Sequence, residues 1–170
     1  MQQNERLEVD PRNFRDTVGR FASGITVVTT TLEDSVHGMT VNAFCSVSLD
    51  PPLVLVAVDN GTHMHEVLQR SGRYGVSVLA EGQEPLSQHF AGQPQENLEI
   101  PFVQQRDTPL LEGAVAHLVC RVIDAHPAGD HTLYIGQVEY LSYRNGTPLL
   151  FYTGEYQNLN VQIRETPFWW

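Results

Sequence analysis

The stretch LYIGQVEYLSYRNGTPLLFY, residues 133–152, decides the fold class. Leu133 to Tyr143 is a long proline-free run rich in strand formers, and Pro148 to Tyr152 is a shorter one. Between them Asn145-Gly146 predicts a hairpin turn, since both residues tolerate the positive φ of a tight reversal. A long strand turning back on itself favours an antiparallel barrel over a doubly wound parallel sheet.

Upstream, Ala114 to Ala125 and Tyr74 to Leu79 read as further strands. Residues 93–113, with prolines at 94, 101 and 109 and scattered charges, predict a surface excursion. Pro85 to Ala91, stopped by Gly92, predicts a short helix, and Thr62 fits the N-cap of another that ends near Ser71-Gly72. The continuous apolar run Leu53 to Val58 fits a strand buried on both faces. Pro51-Pro52 separates it from Gly38 to Leu49, an alternating segment read as one strand. Ile25 to Thr31 is β-branched and strand-like. Before it, Asp10-Pro11 with Phe14, Val18 and Phe21 predicts an amphipathic helix running until Gly24. The sum is one domain of six or seven strands with few, short helices.

All ten basic residues of the 170 are arginine, against twenty acidic ones, for a net charge of -10. Without lysine there is no Schiff base and no phosphate-loop lysine. The acidic field opposes nucleic acid and anionic membranes, and no apolar stretch approaches the roughly 20 residues of a membrane span. The polar N-terminus MQQNERLEVDP is not expected to be a secretory signal. Cys45 and Cys120 leave a disulfide open, although two reduced, buried thiols of a cytosolic protein are the commoner case.

No G-x-G-x-x-G, phosphate-loop, G-x-S-x-G or H-E-x-x-H motif occurs. His63 and His65 lie two apart, about 200° around a helix, so a shared metal is not expected. Two local features carry chemistry. Thr40 to Ser48 alternates small polar and apolar groups and offers neutral hydrogen bonds suited to a heterocycle with a phosphate tail, or else forms an ordinary strand with a polar face. Gly129-Asp130-His131 either holds an imidazole at a pocket rim or is a plain solvated turn.

Five segments in order, FASGITVVTT (21–30), GMTVNAFCSVSLDPPLVLVAVD (38–59), GVSVLAEGQEPLSQHFAG (75–92), GDHTLYIGQV (129–138) and PLLFYTGEY (148–156), resemble the short-chain NAD(P)H:flavin oxidoreductases. These are the flavin reductase components of two-component flavin-dependent monooxygenases. The resemblance implies an FMN-binding split β-barrel over residues 13–158, between an N-terminal extension (1–12) and a C-terminal tail (159–170). It also implies a homodimer with FMN or FAD in a groove near the interface. By position, Thr40, Asn42, Ala43, Phe44 and Ser46 would line the flavin, and Asp59, Asn60, Gly61 and Thr62 would approach its phosphate. Ser77, Leu79, Ser87 and Phe90 would close the groove, with Tyr156 packed over it. Asp130 would adjoin His131, which resembles the histidine that serves the nicotinamide. Met64 stands where the family often has a hydroxyl, Cys45 where threonine is common and Ser77 where asparagine is common; Phe168-Trp169-Trp170 has no counterpart.

The implied reaction is hydride transfer from NADH or NADPH to flavin, with reduced flavin passing to a separate oxygenase. The alternatives are a flavoprotein that keeps its flavin and a non-enzymatic flavin-binding module. NADH is expected over NADPH, because a 2′-phosphate demands an aimed cation and no arginine falls within 38–59, 75–92 or 129–138. Arg12, Arg15 and Arg20, beside the first helix, are the cations placed to fold over the groove.

Overall fold

The computed structural model describes residues 8–159; the terminal Phe168-Trp169-Trp170 lies outside them. Helix α1 (Pro11–Val18) begins where the Asp10 carboxylate accepts from the Arg12 and Asn13 N–H groups, each at 2.9 Å. It ends at Gly19, earlier than the spacing of Phe21 predicts, and none of its residues is buried. Strands β1 (Ser23–Gly24), β2 (Thr26–Leu32), β3 (Ser35–Val41), β4 (Phe44–Leu49) and β5 (Pro52–Asp59) follow. Helix α2 (His63–Ser71) leads to β6 (Arg73–Val78), and a 3-10 turn (Glu81–Gln83) runs into α3 (Glu84–Phe90). The remainder is β7 (Phe102–Gln105), β8 (Thr108–Leu111), β9 (Ala116–Ala128), β10 (His131–Tyr143), β11 (Leu149–Tyr152) and β12 (Glu155–Asn158).

Seven strands form the main sheet in the order β3-β2-β6-β9-β10-β5-β4, every pair antiparallel. The fold is therefore mainly β, as the long strands predict. The segment 38–49, however, is two strands and not one: β3 pairs with β2, and β4 pairs with β5 at the opposite edge. Flat, the two edges would stand roughly 29 Å apart at the usual strand spacing. The link through Asn42-Ala43 spans at most about 11 Å, so the sheet must wrap round to bring its edges together there.

The predicted Asn145-Gly146 hairpin is also replaced. β10 pairs with β9 and β5, whereas β11 pairs with β1 and β12 in a second sheet. Arg144 steers the chain between the sheets, its backbone N–H donating to the Val115 carbonyl (2.9 Å) and its Nε to the Ala114 carbonyl (3.0 Å). Tight reversals occur instead at Glu33-Asp34, Arg106-Asp107 and Thr153-Gly154, each with both residues at positive φ.

One core cluster gathers Val28, Val54, Val56, Val58, Leu68, Tyr74, Val76, Cys120 and Tyr134; a second gathers Ile25, Val27, Leu79, Leu86, Leu111 and Leu149. β5 is not buried on both faces: Val54, Val56 and Val58 point inward while Leu53, Leu55 and Ala57 are half-exposed. Residues 93–113 are only partly a surface excursion, because all of β8 is buried, with Leu110 and Leu111 fully enclosed. Its prolines misled the reading; Pro109 sits in an edge strand, and its carbonyl accepts the Thr29 hydroxyl. Of the two free thiols, Cys120 is buried and Cys45 exposed, which corrects the expectation that both are buried. Among the described residues no helix is long and apolar enough to cross a membrane.

Candidate active site

Where the sheet edges meet, consecutive stretches of chain line two grooves. The first, about 640 Å³, runs along Asn42, Ala43, Phe44 and Cys45, backed by Leu55 and Val78. The second, about 490 Å³, lies against Gly38, Thr40, Thr62 and Phe90, with His37 and His63 beside it. Asn42 and Ala43 are exposed and belong to neither edge strand; their carbonyls accept from the Phe44 and Ala57 N–H groups, each at 3.0 Å.

Two loops distant in sequence are stitched together beside these grooves. Antiparallel pairing of β5 with β10 sets His131 opposite Asp59. The Asn60 N–H donates to the Asp130 carbonyl (2.9 Å), and the Thr132 hydroxyl donates to Asn60 Oδ1 (2.7 Å). Asp59 shapes its own turn: its carboxylate accepts from the Gly61 N–H and its carbonyl from the Thr62 hydroxyl, both at 2.7 Å. The Thr62 side chain is thereby turned away from capping α2. Asp130 Oδ1 lies 2.7 Å from His131 Nδ1, and the hydrogen bond and charge of His131 hold the Asp130 carboxyl below the usual carboxylate range. An ionised carboxylate only accepts, so Nδ1 carries a proton, and Nε2 has no hydrogen-bond partner among the described residues.

A second set of contacts ties α3 to the groove. The Thr40 hydroxyl donates to the Ser87 carbonyl (2.7 Å), and Ser87 Oγ is 3.0 Å from the Tyr156 hydroxyl. Tyr156 also meets Phe151 edge-on, with centroids 5.6 Å apart. Phe90 rests directly on Gly38, where a Cβ would come within 2.5 Å of its ring. The absence of a side chain at 38 lets this aromatic wall close down.

Of the expected residues, Asn42, Ala43 and Phe44 line the first groove and Thr40, Thr62 and Phe90 the second; Asp59, Asn60, Gly61, Asp130 and His131 join Thr62 through the bonds of the two loops, and the fully buried Ser87 joins Thr40 to Tyr156. Three expected residues stand apart. Ser77 is fully buried and its Oγ accepts from the Leu111 N–H (2.9 Å), while Leu79 is fully buried in the second cluster. Neither side chain is free to close a groove. Ser46 is exposed on β4 and lines neither groove. Met64 is buried, reaching the second groove from the core, so position 64 supplies no hydroxyl. Gly38, Leu55 and Val78 were missed. The alternation of β5 and β6 and the lone glycine of β3 were the available signals.

The flavin reductase like domain matches residues 18–160. An NADH-dependent flavin reductase of Rhodococcus sp is 54% identical over 164 residues, covering 95% of this chain and 93% of that protein. The reductase component of 4-hydroxyphenylacetate 3-monooxygenase from Thermus thermophilus is 40% identical, covering 86% of this chain and 95% of the relative. Among solved structures, flavin reductase PheA2 in its native state superposes with a TM-score of 0.88 at 43% identity, covering 90% of this chain and all (100%) of that one. The NADH:FAD oxidoreductase SgcE6 of Streptomyces globisporus, solved with NAD and FAD fragments, gives 0.83 at 34% identity, covering 94% and 100% of the two chains. A matching domain over most of the length and relatives this similar lead to one conclusion: the chain belongs to the flavin reductase-like family.

Proposed function

We propose that this protein oxidises NADH, reduces FMN or FAD and releases the reduced flavin to a separate oxygenase component. It is an NAD(P)H:flavin oxidoreductase. One observation carries the reading: the junction Asn42-Ala43, where the sheet's two edges meet, opens onto the first groove, whose lining side chains carry no formal charge. Such a donor set fits a planar heterocycle with a polar tail, and the arrangement calls on no protein nucleophile. When bound, flavin supplies the two-electron acceptor for the hydride of the nicotinamide.

The chain's own residues bind and orient. Asn42 to Phe44 present side-chain and backbone groups to the ring system, and Asp59 to Thr62 take the phosphate end. Phe90, held on Gly38 and anchored through Ser87 to Tyr156, forms an aromatic wall that excludes water. His131, its Nδ1 proton fixed on Asp130, offers Nε2 to the nicotinamide. The wrapped sheet is read as a split barrel spanning residues 13–158, with 1–12 and 159–170 as flanking extensions. The protein is further read as a cytoplasmic homodimer, its exposed apolar residues Leu49, Leu141 and Tyr143 suiting a covered face.

The test is NADH oxidation with and without added flavin after exhaustive dialysis. Turnover that depends on added FMN or FAD is expected. Stoichiometric flavin retained through dialysis would replace this reading with a flavoprotein that keeps its flavin.

A further inference from the structure

Among the described residues, Arg70, Arg73 and Arg121 pair with Glu33 or Glu139, and Arg144 donates to backbone carbonyls. Of the arginines without a side-chain partner, Arg12, Arg15 and Arg20 cluster on α1 and the turn after it. The same segment carries Glu8, Asp10 and Asp16, so what sets it apart is guanidinium groups without a side-chain partner, not net positive charge. Arg15 and Arg20 stand on the wall of a third groove, of about 500 Å³, whose lining also includes Phe21 and Phe151. That groove shares Asn42 with the one along residues 42–45, so the two are continuous. Phe21 is 83% exposed, an unusual state for a large aromatic beside two free cations.

We propose that this groove takes the adenosine diphosphate moiety of a dinucleotide, the diphosphate gripped by Arg15 and Arg20 and the adenine laid against Phe21 and Phe151. The inference rests on the flavin reductase reading, which places the reactive rings beside Asn42. Guanidinium groups pair phosphate oxygens in a bidentate fork, and aromatic rings stack on a purine. The volume suits a nucleotide-sized group. Asp16 lines the same groove, so its charge balance is two cations against one acid. The C-terminal end of α1 presents the wrong sign to an anion, which leaves the attraction to the two side chains.

Both FAD and NADH carry this moiety, and paired substrates tell them apart. The double variant Arg15→Gln/Arg20→Gln is compared with the parent protein using NADH or reduced nicotinamide mononucleotide as donor, and FAD or FMN as acceptor. The expected result is a KM raised about tenfold or more for one dinucleotide, with its mononucleotide counterpart unaffected. A rise for NADH alone assigns the groove to the donor; a rise for FAD alone assigns it to the acceptor. Added salt should weaken the same substrate in the parent and leave the variant unmoved. Unchanged constants for all four substrates, or equal losses for mononucleotides and dinucleotides, overturn the proposal. A parent protein that fails to oxidise either donor with either flavin instead breaks the parent reading.

Discussion

Gly38 and Gly136 each lie beneath an aromatic ring, one at the rim of the candidate site and the other sealed in the core. At Gly38 the ring is Phe90, half-buried on a short helix with open groove beside it. At Gly136 it is Tyr74, fully buried, whose hydroxyl occupies the space a Cβ would need, with Cys120 Cβ 2.8 Å from that point. The Tyr74 hydroxyl makes no hydrogen bond of ordinary geometry. Burial pushes its pKa upward and pushes the neighbouring Cys120 thiol up to about 12. The same residue type thus permits close approach in both places. A rim ring can swing aside when crowded, whereas a core ring has nowhere to go.

The largest expected effect breaks the core side of the comparison. Gly136→Ala should cost about 3 kcal/mol by overpacking, read from urea denaturation. A loss below about 1 kcal/mol would mean that Tyr74 has unforeseen room.

Next, His131→Ala should lower kcat/KM for NADH about tenfold, with flavin affinity nearly intact, since the imidazole is read as serving only the nicotinamide. Unchanged kinetics would return Asp130-His131 to a solvated turn. Gly38→Ala should move the Phe90 wall and raise the flavin KM about fivefold, a cost of about 1 kcal/mol in binding, with a smaller change in stability than at Gly136. Equal stability losses at both glycines would erase the contrast.

Smaller still, Tyr156→Phe removes the partner of Ser87 Oγ and should cost about 1 kcal/mol of stability, together with a modest rise in flavin KM. The least conspicuous test uses the thiols. In native protein at pH 8, Cys45 should react readily with a thiol reagent while Cys120 stays protected. The raised folded-state pKa of Cys120 also has a defined sign. Its contribution is fully present below the ordinary thiol value, because both states then keep the proton. As pH rises from there to about 12, the unfolded chain releases the proton first and stability falls. A Cys120→Ala variant should lose that part of the alkaline decline.

Much of the candidate site's local geometry was legible because it depends on residues close in the chain. Asp59-Asn60-Gly61-Thr62 and Gly129-Asp130-His131 carry their turns in their own residues, and their cross-links follow once β5 and β10 pair in register. Ser77 misled because a polar residue on a strand reads the same whether it faces a groove or receives a buried amide. Only the arrival of β8, more than thirty residues later, decides that its Oγ accepts from Leu111.

By itself the sequence determined what depends on neighbours along the chain: strand periodicity, the Asp10 cap of α1, the Gly72 stop of α2 at φ 64, and the absence of lysine chemistry. Tertiary structure decided which strands pair. Asn145-Gly146 has every local property of a hairpin turn, yet β10 and β11 lie in different sheets. The segment 38–49 has every property of one strand, yet it changes partners at Asn42. The physical reason is that a strand's backbone groups accept any strand of suitable register. The choice among partners belongs to the apolar faces that must be sealed together, and those faces come from residues far apart in the chain.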